Sequence, residues 1–204
     1  MQIRPFQLER FFAKYEFTAQ YLLCSSDCES LAVADLLAFE PDARRELDSL
    51  WLGYTETPGH PALRAEIAGL YRRLTPAQIL VHSGAEEAIF NFMNVTLSPG
   101  DHVIVQSPCY QSLLEVAAAL GCHVTRWPMQ PKNNWEPDLD FLRDNIRPAT
   151  RLVVVNSPHN PTGYLMSAKT QADLIDIVRQ HGLLLFSDEV YRGLEYDPDD
   201  RLPA

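Results

Sequence analysis

The sequence has no long apolar run, few lysines and no excess of positive charge. Its 204 residues carry a formal net charge of -10, so a nucleic-acid or anionic-membrane partner is not expected. No apolar stretch approaches the ~20 residues that a membrane helix needs. The N-terminus, MQIRPFQLERFF, lacks the apolar core and the small-residue cleavage site of a secretory signal. We therefore expect a cytoplasmic protein with no membrane partner.

The cysteines do not follow the pattern of a metal site. Cys24 and Cys28 have an acceptable spacing, but no second cysteine pair and no histidine pair accompanies them. Cys109 and Cys122 are isolated. We therefore expect reduced thiols and no bound metal. The remaining composition, 46% apolar and 22% charged, is that of an ordinary globular protein.

The stretch from 151 to 191 is the most informative part of the chain. It opens with RLVVV (151–155), a β-branched run typical of a buried strand, which the polar sequence NSPHNPTG (156–163) follows. A helix-period segment (169–179) comes next, and a second apolar run, LLLF (183–186), ends in SDEVY (187–191). The order strand, loop, helix, strand, loop predicts a βαβ unit.

The two polar loops of this unit follow successive parallel strands. Open α/β sheets bind ligands at the carboxyl ends of their strands. We therefore expect Asn160, from the first loop, and Asp188 and Tyr191, from the second, to converge on one small molecule.

NSPHNPTG followed by SDEVY resembles the fold-type I enzymes that depend on pyridoxal 5′-phosphate (PLP), in particular the class I and II aminotransferase family. The resemblance implies an α/β fold: the three-layer, mainly parallel sheet of the major domain of these transferases, preceded by an N-terminal helical segment. Residues 1–45 would belong to the small domain and residues 46–204 to an incomplete PLP-binding large domain.

Elements before the central stretch agree with this fold. Apolar spacing predicts helices over 6–23 and 30–39. Residues 111–120 and 138–146 are also predicted helices, and Val103 to Val105 a buried strand. The sequence SSDCES (25–30) replaces the Gly-x-Pro-Asp signature that the family carries at this point. The resemblance therefore does not extend to this side of the substrate pocket.

A strand over 79–83 is predicted to run through Gly84 into a helix. The first N–H groups of a helix have no intrahelical acceptor and carry partial positive charge, so they bind phosphate without a basic side chain. Glycine lets the backbone approach closely. By resemblance, the amides of Ala85 and Glu86 would hold the PLP phosphate, although Glu86 is also an ordinary first-turn acid.

Two tyrosines match aromatic positions of the family. Tyr110, two residues after Pro108, would stack on the pyridine ring of PLP. Tyr54 would cross the interface of a homodimer to the PLP phosphate of the partner subunit. For each, the alternative is an aromatic side chain that only packs against its neighbours.

The same resemblance gives roles to the residues of the two loops. Asp188 would lie against the ring nitrogen of PLP and keep that nitrogen protonated. Asn160 and Tyr191 would bind the phenolic oxygen of the ring. The alternative for Asp188 is a capping or turn residue after a strand.

The catalytic lysine of the family is absent from this chain. The only lysines are Lys14, Lys132 and Lys169, and none follows SDEVY, where the family carries its Schiff-base lysine. The arginine that binds the substrate carboxylate and two middle strands of the sheet would also come later. We therefore expect an N-terminal fragment of an aminotransferase, which acts on an amino acid and a 2-oxo acid, and no activity of the chain alone.

Two alternatives remain open. The chain could be a lysine-less remnant that binds PLP loosely or pairs with a full-length partner. It could also belong to a PLP enzyme acting on guanidino amino acids, because SSDCES and SPHNPTG resemble a branch that includes capreomycidine-synthase-like enzymes. The sequence does not distinguish transamination from elimination or cyclisation.

Overall fold

A single parallel sheet organises the chain. The computed structural model describes residues 1–203. Its four strands are β1 (His102–Ser107), β2 (His123–Pro128), β3 (Thr150–Asn156) and β4 (Leu184–Asp188). They pair in parallel in the order β2-β1-β3-β4. The predicted α/β class with a parallel sheet is confirmed.

Helices precede the sheet and connect its strands. In chain order they are α1 (Gln7–Tyr15), α2 (Val33–Leu37), α3 (Ala43–Asp48), α4 (Pro61–Gly69), α5 (Ala85–Thr96), α6 (Ser112–Ala119), α7 (Leu139–Asn145) and α8 (Ala168–Gln180). The two longest connections between strands contain α7 and α8, and each of these helices begins after a capping residue. Asp138 accepts hydrogen bonds from the first turn of α7, and Ser167 accepts one from Thr170 at the start of α8.

The core has two halves, one on each face of the sheet. Successive residues of a strand point to opposite faces. Accordingly, Leu152 and Val154 of β3 pack with the apolar faces of α5 and α6. Val153 and Val155 pack on the other face with residues of α7 and α8. Helices therefore cover both faces of a central sheet, which gives the three layers.

Residues 79–83 do not form the predicted strand. Their backbone is tied to the neighbouring loop through the Val81 N–H, which donates to the Pro58 carbonyl at 2.9 Å. A strand requires a neighbouring strand to accept its hydrogen bonds. Within residues 1–203, β4 pairs only with β3, and residues 79–82 do not pair with it. The segment therefore has no strand partner in the described chain.

The first predicted helix is too long. α1 ends at Tyr15, not at residue 23, and a turn follows in which the Thr18 hydroxyl donates to the Lys14 carbonyl. After Tyr15, the side chains of Phe17 and Leu23 are 90% and 93% exposed, so no packing of these two side chains supports further helix. The second predicted helix, over 30–39, is reduced to α2. Among the described residues, no helix combines the length and the apolar character needed to cross a membrane.

Candidate functional site

A cavity of about 420 Å³ opens at the carboxyl ends of β3 and β4. The N-terminus of α5 and residues of α1 form part of its wall. All residues predicted to bind the cofactor line it, with the exception of Tyr54: Gly84, Ala85, Glu86, Tyr110, Asn160, Asp188 and Tyr191. The predicted convergence of the two polar loops is therefore present in the fold.

The start of α5 presents its backbone to this cavity. Gly84 precedes the helix with φ of 96°, a left-handed conformation that costs little only for glycine. A Cβ at this position would meet nothing within 4 Å, so the backbone angle, and not lack of space, favours glycine. The amides of Ala85 and Glu86 belong to the first turn and have no intrahelical acceptor. This wall can bind an anionic group.

Asn160 and Tyr191 form a hydrogen-bonded pair across the two loops. Asn160 Nδ2 donates to Tyr191 Oη at 3.1 Å, and Tyr191 Oη donates to Ser26 Oγ at 2.9 Å. Ser26 lies in SSDCES, the segment that departs from the family signature. The departure thus contributes a direct contact to the site.

Asn156 is a site residue that the sequence-based prediction missed. It is 4% exposed, and both ends of its amide are used. Its Oδ1 accepts from the Asn160 N–H at 2.6 Å, and its Nδ2 donates to the Asp188 carbonyl at 2.9 Å. Its own N–H donates to Gln106 Oε1 at 2.9 Å. Asn156 therefore fixes the two loops to each other. A polar residue at the end of a buried strand was the available signal.

Asp188 places a half-buried carboxylate in the cavity wall. Its Oδ1 accepts a hydrogen bond from the Val190 N–H at 3.2 Å. Burial raises the pKa of this carboxyl group above its ordinary value, and the Val190 hydrogen bond opposes the shift. No cationic side chain is hydrogen-bonded or ion-paired with it in the described chain. A positively charged ligand atom would supply the missing partner.

Tyr110 joins α1 to the cavity. Its hydroxyl donates to Glu9 Oε1 at 3.1 Å, and its ring lies 4.9 Å from that of Phe6, centroid to centroid. Burial is the main cause of the raised pKa of this hydroxyl, and the neighbouring Glu9 adds to it. Tyr110 is thus held in the wall as a neutral donor with its ring beside the cavity.

The lysines lie elsewhere. Lys14 is placed over the ring of Tyr15, and Lys169 pairs with Asp173 at 2.6 Å on the outside of α8. Neither these two nor Lys132 lines the cavity among the described residues. Tyr54 is 101% exposed and also lies outside the cavity. Its predicted contact is with a partner subunit, and it stays a prediction.

Comparisons with known proteins agree with the geometry. The sequence pattern of the family described as aminotransferase class I and II matches residues 18–203. Capreomycidine synthase from Streptomyces vinaceus is 33% identical over 192 residues, which cover 93% of this chain and 49% of that protein. Arginine–pyruvate transaminase from Pseudomonas aeruginosa is 34% identical over 172 residues, with 80% and 44% covered. The chain spans about half the length of these curated relatives.

Solved structures give the same result. A PLP-dependent aminotransferase from Streptococcus suis superposes with a TM-score of 0.87 at 33% identity, over 93% of this chain and 52% of that one. An aspartate aminotransferase from Thermus thermophilus gives 0.74 at 34% identity, over 79% and 43%. Because the family pattern extends over most of the residues, this chain belongs to the class I and II aminotransferase family.

Proposed function

We propose that this chain forms the cofactor-binding part of a PLP-dependent aminotransferase, which transfers an amino group between an amino acid and a 2-oxo acid. The observation that carries the proposal is the convergence of Asn160, Asp188, Tyr191 and the α5 N-terminus on one cavity. Its volume, about 420 Å³, lies within the range of small-molecule sites.

The residues present fit PLP group by group. The amides of Ala85 and Glu86, following Gly84, would hold the phosphate, because a helix N-terminus favours an anion. Asn160 and Tyr191 already form a pair that can bind the phenolic oxygen of the ring. Tyr110 would lie against the ring face.

Asp188 is the residue proposed to keep the ring nitrogen of PLP protonated. A half-buried carboxylate without a cationic partner in the described chain would stabilise a protonated ring nitrogen, since each charge compensates the other. When bound, PLP supplies the electron sink that amino-group transfer requires. Asp188 would hold the proton on the ring nitrogen, and Asn156 would keep Asp188 and Asn160 in register.

The catalytic amine is proposed to come from residues outside this chain. The lysines present do not line the cavity, and the relatives are about twice as long. In the complete protein, proposed to be a homodimer, Tyr54 would reach the PLP phosphate of the partner subunit. Its exposed position leaves it free for such a contact.

Equilibrium dialysis against PLP tests the proposal. The chain should bind PLP, and Asp188→Asn should weaken binding at least about ten-fold, because it removes a charge-assisted contact with the ring nitrogen. Asp176→Asn, an exposed acid on α8, is the matched control and should bind as the unchanged chain does. Equal affinity of all three proteins would refute the proposed site.

A second candidate is a protein that binds PLP without turnover. The absence of any lysine from the cavity lining of the described chain favours it. Borohydride reduction of the PLP-loaded complete protein, followed by peptide mass spectrometry, separates the two. A pyridoxyl group on a lysine supports the aminotransferase, and its absence supports the second candidate.

A further inference from the structure

His159 is a buried polar residue that takes no part in the proposed binding of the cofactor. It lies in the loop after β3, directly before Asn160, and is 3% exposed. It does not line the cavity. Because a buried polar group without a hydrogen-bond partner destabilises a fold, the contacts of its two ring nitrogens show what this side chain holds in place.

One ring nitrogen of His159 is engaged within its own loop. His159 Nδ1 lies 2.7 Å from Thr162 Oγ1. That oxygen already accepts the Tyr164 N–H at 3.2 Å, so its hydroxyl proton is free to donate to Nδ1. Burial lowers the pKa of the imidazole and keeps it neutral. The arrangement therefore favours the tautomer that carries its hydrogen on Nε2.

The second ring nitrogen is directed to the loop after β1. The Pro108 carbonyl is a hydrogen-bond acceptor for the His159 ring, and this contact opposes the effect of burial on the pKa of the ring. Since Thr162 occupies Nδ1, the nitrogen left for Pro108 is Nε2. No well-aligned hydrogen bond from another group of the described chain reaches Nε2. Pro108 is therefore its one acceptor among the described residues.

This contact joins two loops that backbone pairing does not connect. The paired residues of β1 and β3 end at Val105 and Val154, and the loops that carry Tyr110 and Asn160 begin beyond them. At the strand ends, Gln106 Oε1 still accepts a backbone N–H of β3. Farther out, a side chain has to set the distance between the loops.

We infer that His159 is a positioning residue, which fixes the Tyr110 ring relative to Asn160 through a hydrogen bond from its Nε2–H to the Pro108 carbonyl. The inference rests on the proposed function, in which Tyr110 lies against the ring of PLP and Asn160 binds its phenolic oxygen. A ligand that contacts both residues binds more tightly when their spacing is fixed in advance, because ordering two loops on binding costs free energy.

Asparagine and glutamine separate the two contacts of His159. An asparagine amide can replace Nδ1 but is too short to reach Pro108, whereas a glutamine amide nitrogen can take the place of Nε2. We expect His159→Asn to weaken PLP binding about ten-fold in equilibrium dialysis, and His159→Gln to restore most of the affinity. His181→Asn, an exposed histidine at the end of α8, is the matched control and should bind as the unchanged chain does.

A double-mutant cycle with Tyr110→Leu shows whether the effect passes through Tyr110. In the Tyr110→Leu chain, His159→Asn should cause no further loss of PLP affinity. Additive losses would overturn the inference, as would equal losses in His159→Asn and His159→Gln, because both results are expected of a residue that only stabilises the fold.

NMR of the PLP-free chain tests His159 independently of the proposed function. With carbon-13-labelled tyrosine, the Tyr110 ring signals should shift in His159→Asn and stay in place in His159→Gln. In the unchanged chain, nitrogen-15 spectra should show the ring hydrogen on Nε2. An unshifted Tyr110 signal, or a hydrogen on Nδ1, would overturn the inference whether or not PLP binds, whereas failure of the unchanged chain to bind PLP refutes the proposed function.

Discussion

The two strands that carry the site differ in the support they receive. β3 lies between β1 and β4, and its residues from Leu152 to Asn156 are buried. β4 pairs with β3 alone in the described chain, and most of its residues are only half-buried. Yet β4 carries Asp188, the residue with the most demanding proposed role. The strand that carries Asp188 is thus the less buried of the two.

Hydrogen bonds from β3 compensate for the weaker position of β4. Asn156 Nδ2 and the Ser157 N–H both donate to the Asp188 carbonyl, at 2.9 Å and 3.0 Å. They hold the end of β4 at the point where its side chain enters the cavity. A strand with one free edge can therefore still position a ligand-binding residue, provided that its neighbour fixes its end.

The largest expected effect compares one leucine on each strand. Leu152 of β3 and Leu184 of β4 are paired in register, but Leu152 is 0% exposed and Leu184 is half-buried. We expect Leu152→Ala to lower the free energy of unfolding by about 3 kcal/mol, because it leaves a cavity in a closed core. Leu184→Ala should cost about 1 kcal/mol, since less apolar surface is lost from the interior.

Urea unfolding of both variants measures this difference. The dependence of unfolding free energy on urea concentration serves as the control, because an unchanged slope shows that the unfolded state is the same. Equal losses of unfolding free energy in the two variants would contradict this expectation, because they would mean that β4 is packed as well as β3.

A smaller effect concerns the pH dependence of the PLP-free chain. Burial raises the pKa of Asp188 in the folded state. Its contribution to stability is therefore present below the unfolded pKa and is lost as pH rises through the folded pKa. At about pH 7 Asp188→Asn should be more stable than the unchanged chain, and the gain should vanish near pH 3, where both side chains are neutral.

Thermal unfolding across this pH range, without cofactor, is the measurement. The gain should be smaller than the loss in Leu152→Ala. A variant that is less stable than the unchanged chain at neutral pH would show that the charged carboxylate is stabilised in the free protein, so that it does not need a cationic ligand.

The sequence was sufficient to predict elements that are determined by residues close to one another in the chain. The apolar runs of β3 and β4, the polar loops after them and the helix that follows Gly84 appear where they were predicted. Local patterns suffice for these because strand ends and helix starts depend on nearby residues. The convergence of Asn160 and Asp188 followed from the parallel order of two consecutive strands.

Elements that depend on distant partners were not predictable in the same way. Residues 79–83 have a strand-like composition but no neighbouring strand in the described chain. The segment after Tyr15 has helical spacing but no surface on which to pack. Asn156 was missed because its role consists of contacts with Asp188 and Asn160, which only the folded chain brings together. Glu9 reaches the cavity through contacts between α1 and α6, which no local pattern shows.

Nitrogen-15 NMR of PLP labelled at the ring nitrogen measures the effect of Asp188 on the protonation of the ring. We expect PLP bound to the unchanged chain to keep its ring nitrogen protonated to higher pH than PLP bound to Asp188→Asn, since a neighbouring carboxylate stabilises the charged ring. Asp176→Asn should behave as the unchanged chain does. Identical titration of the bound ring nitrogen in all three proteins would contradict the role assigned to Asp188.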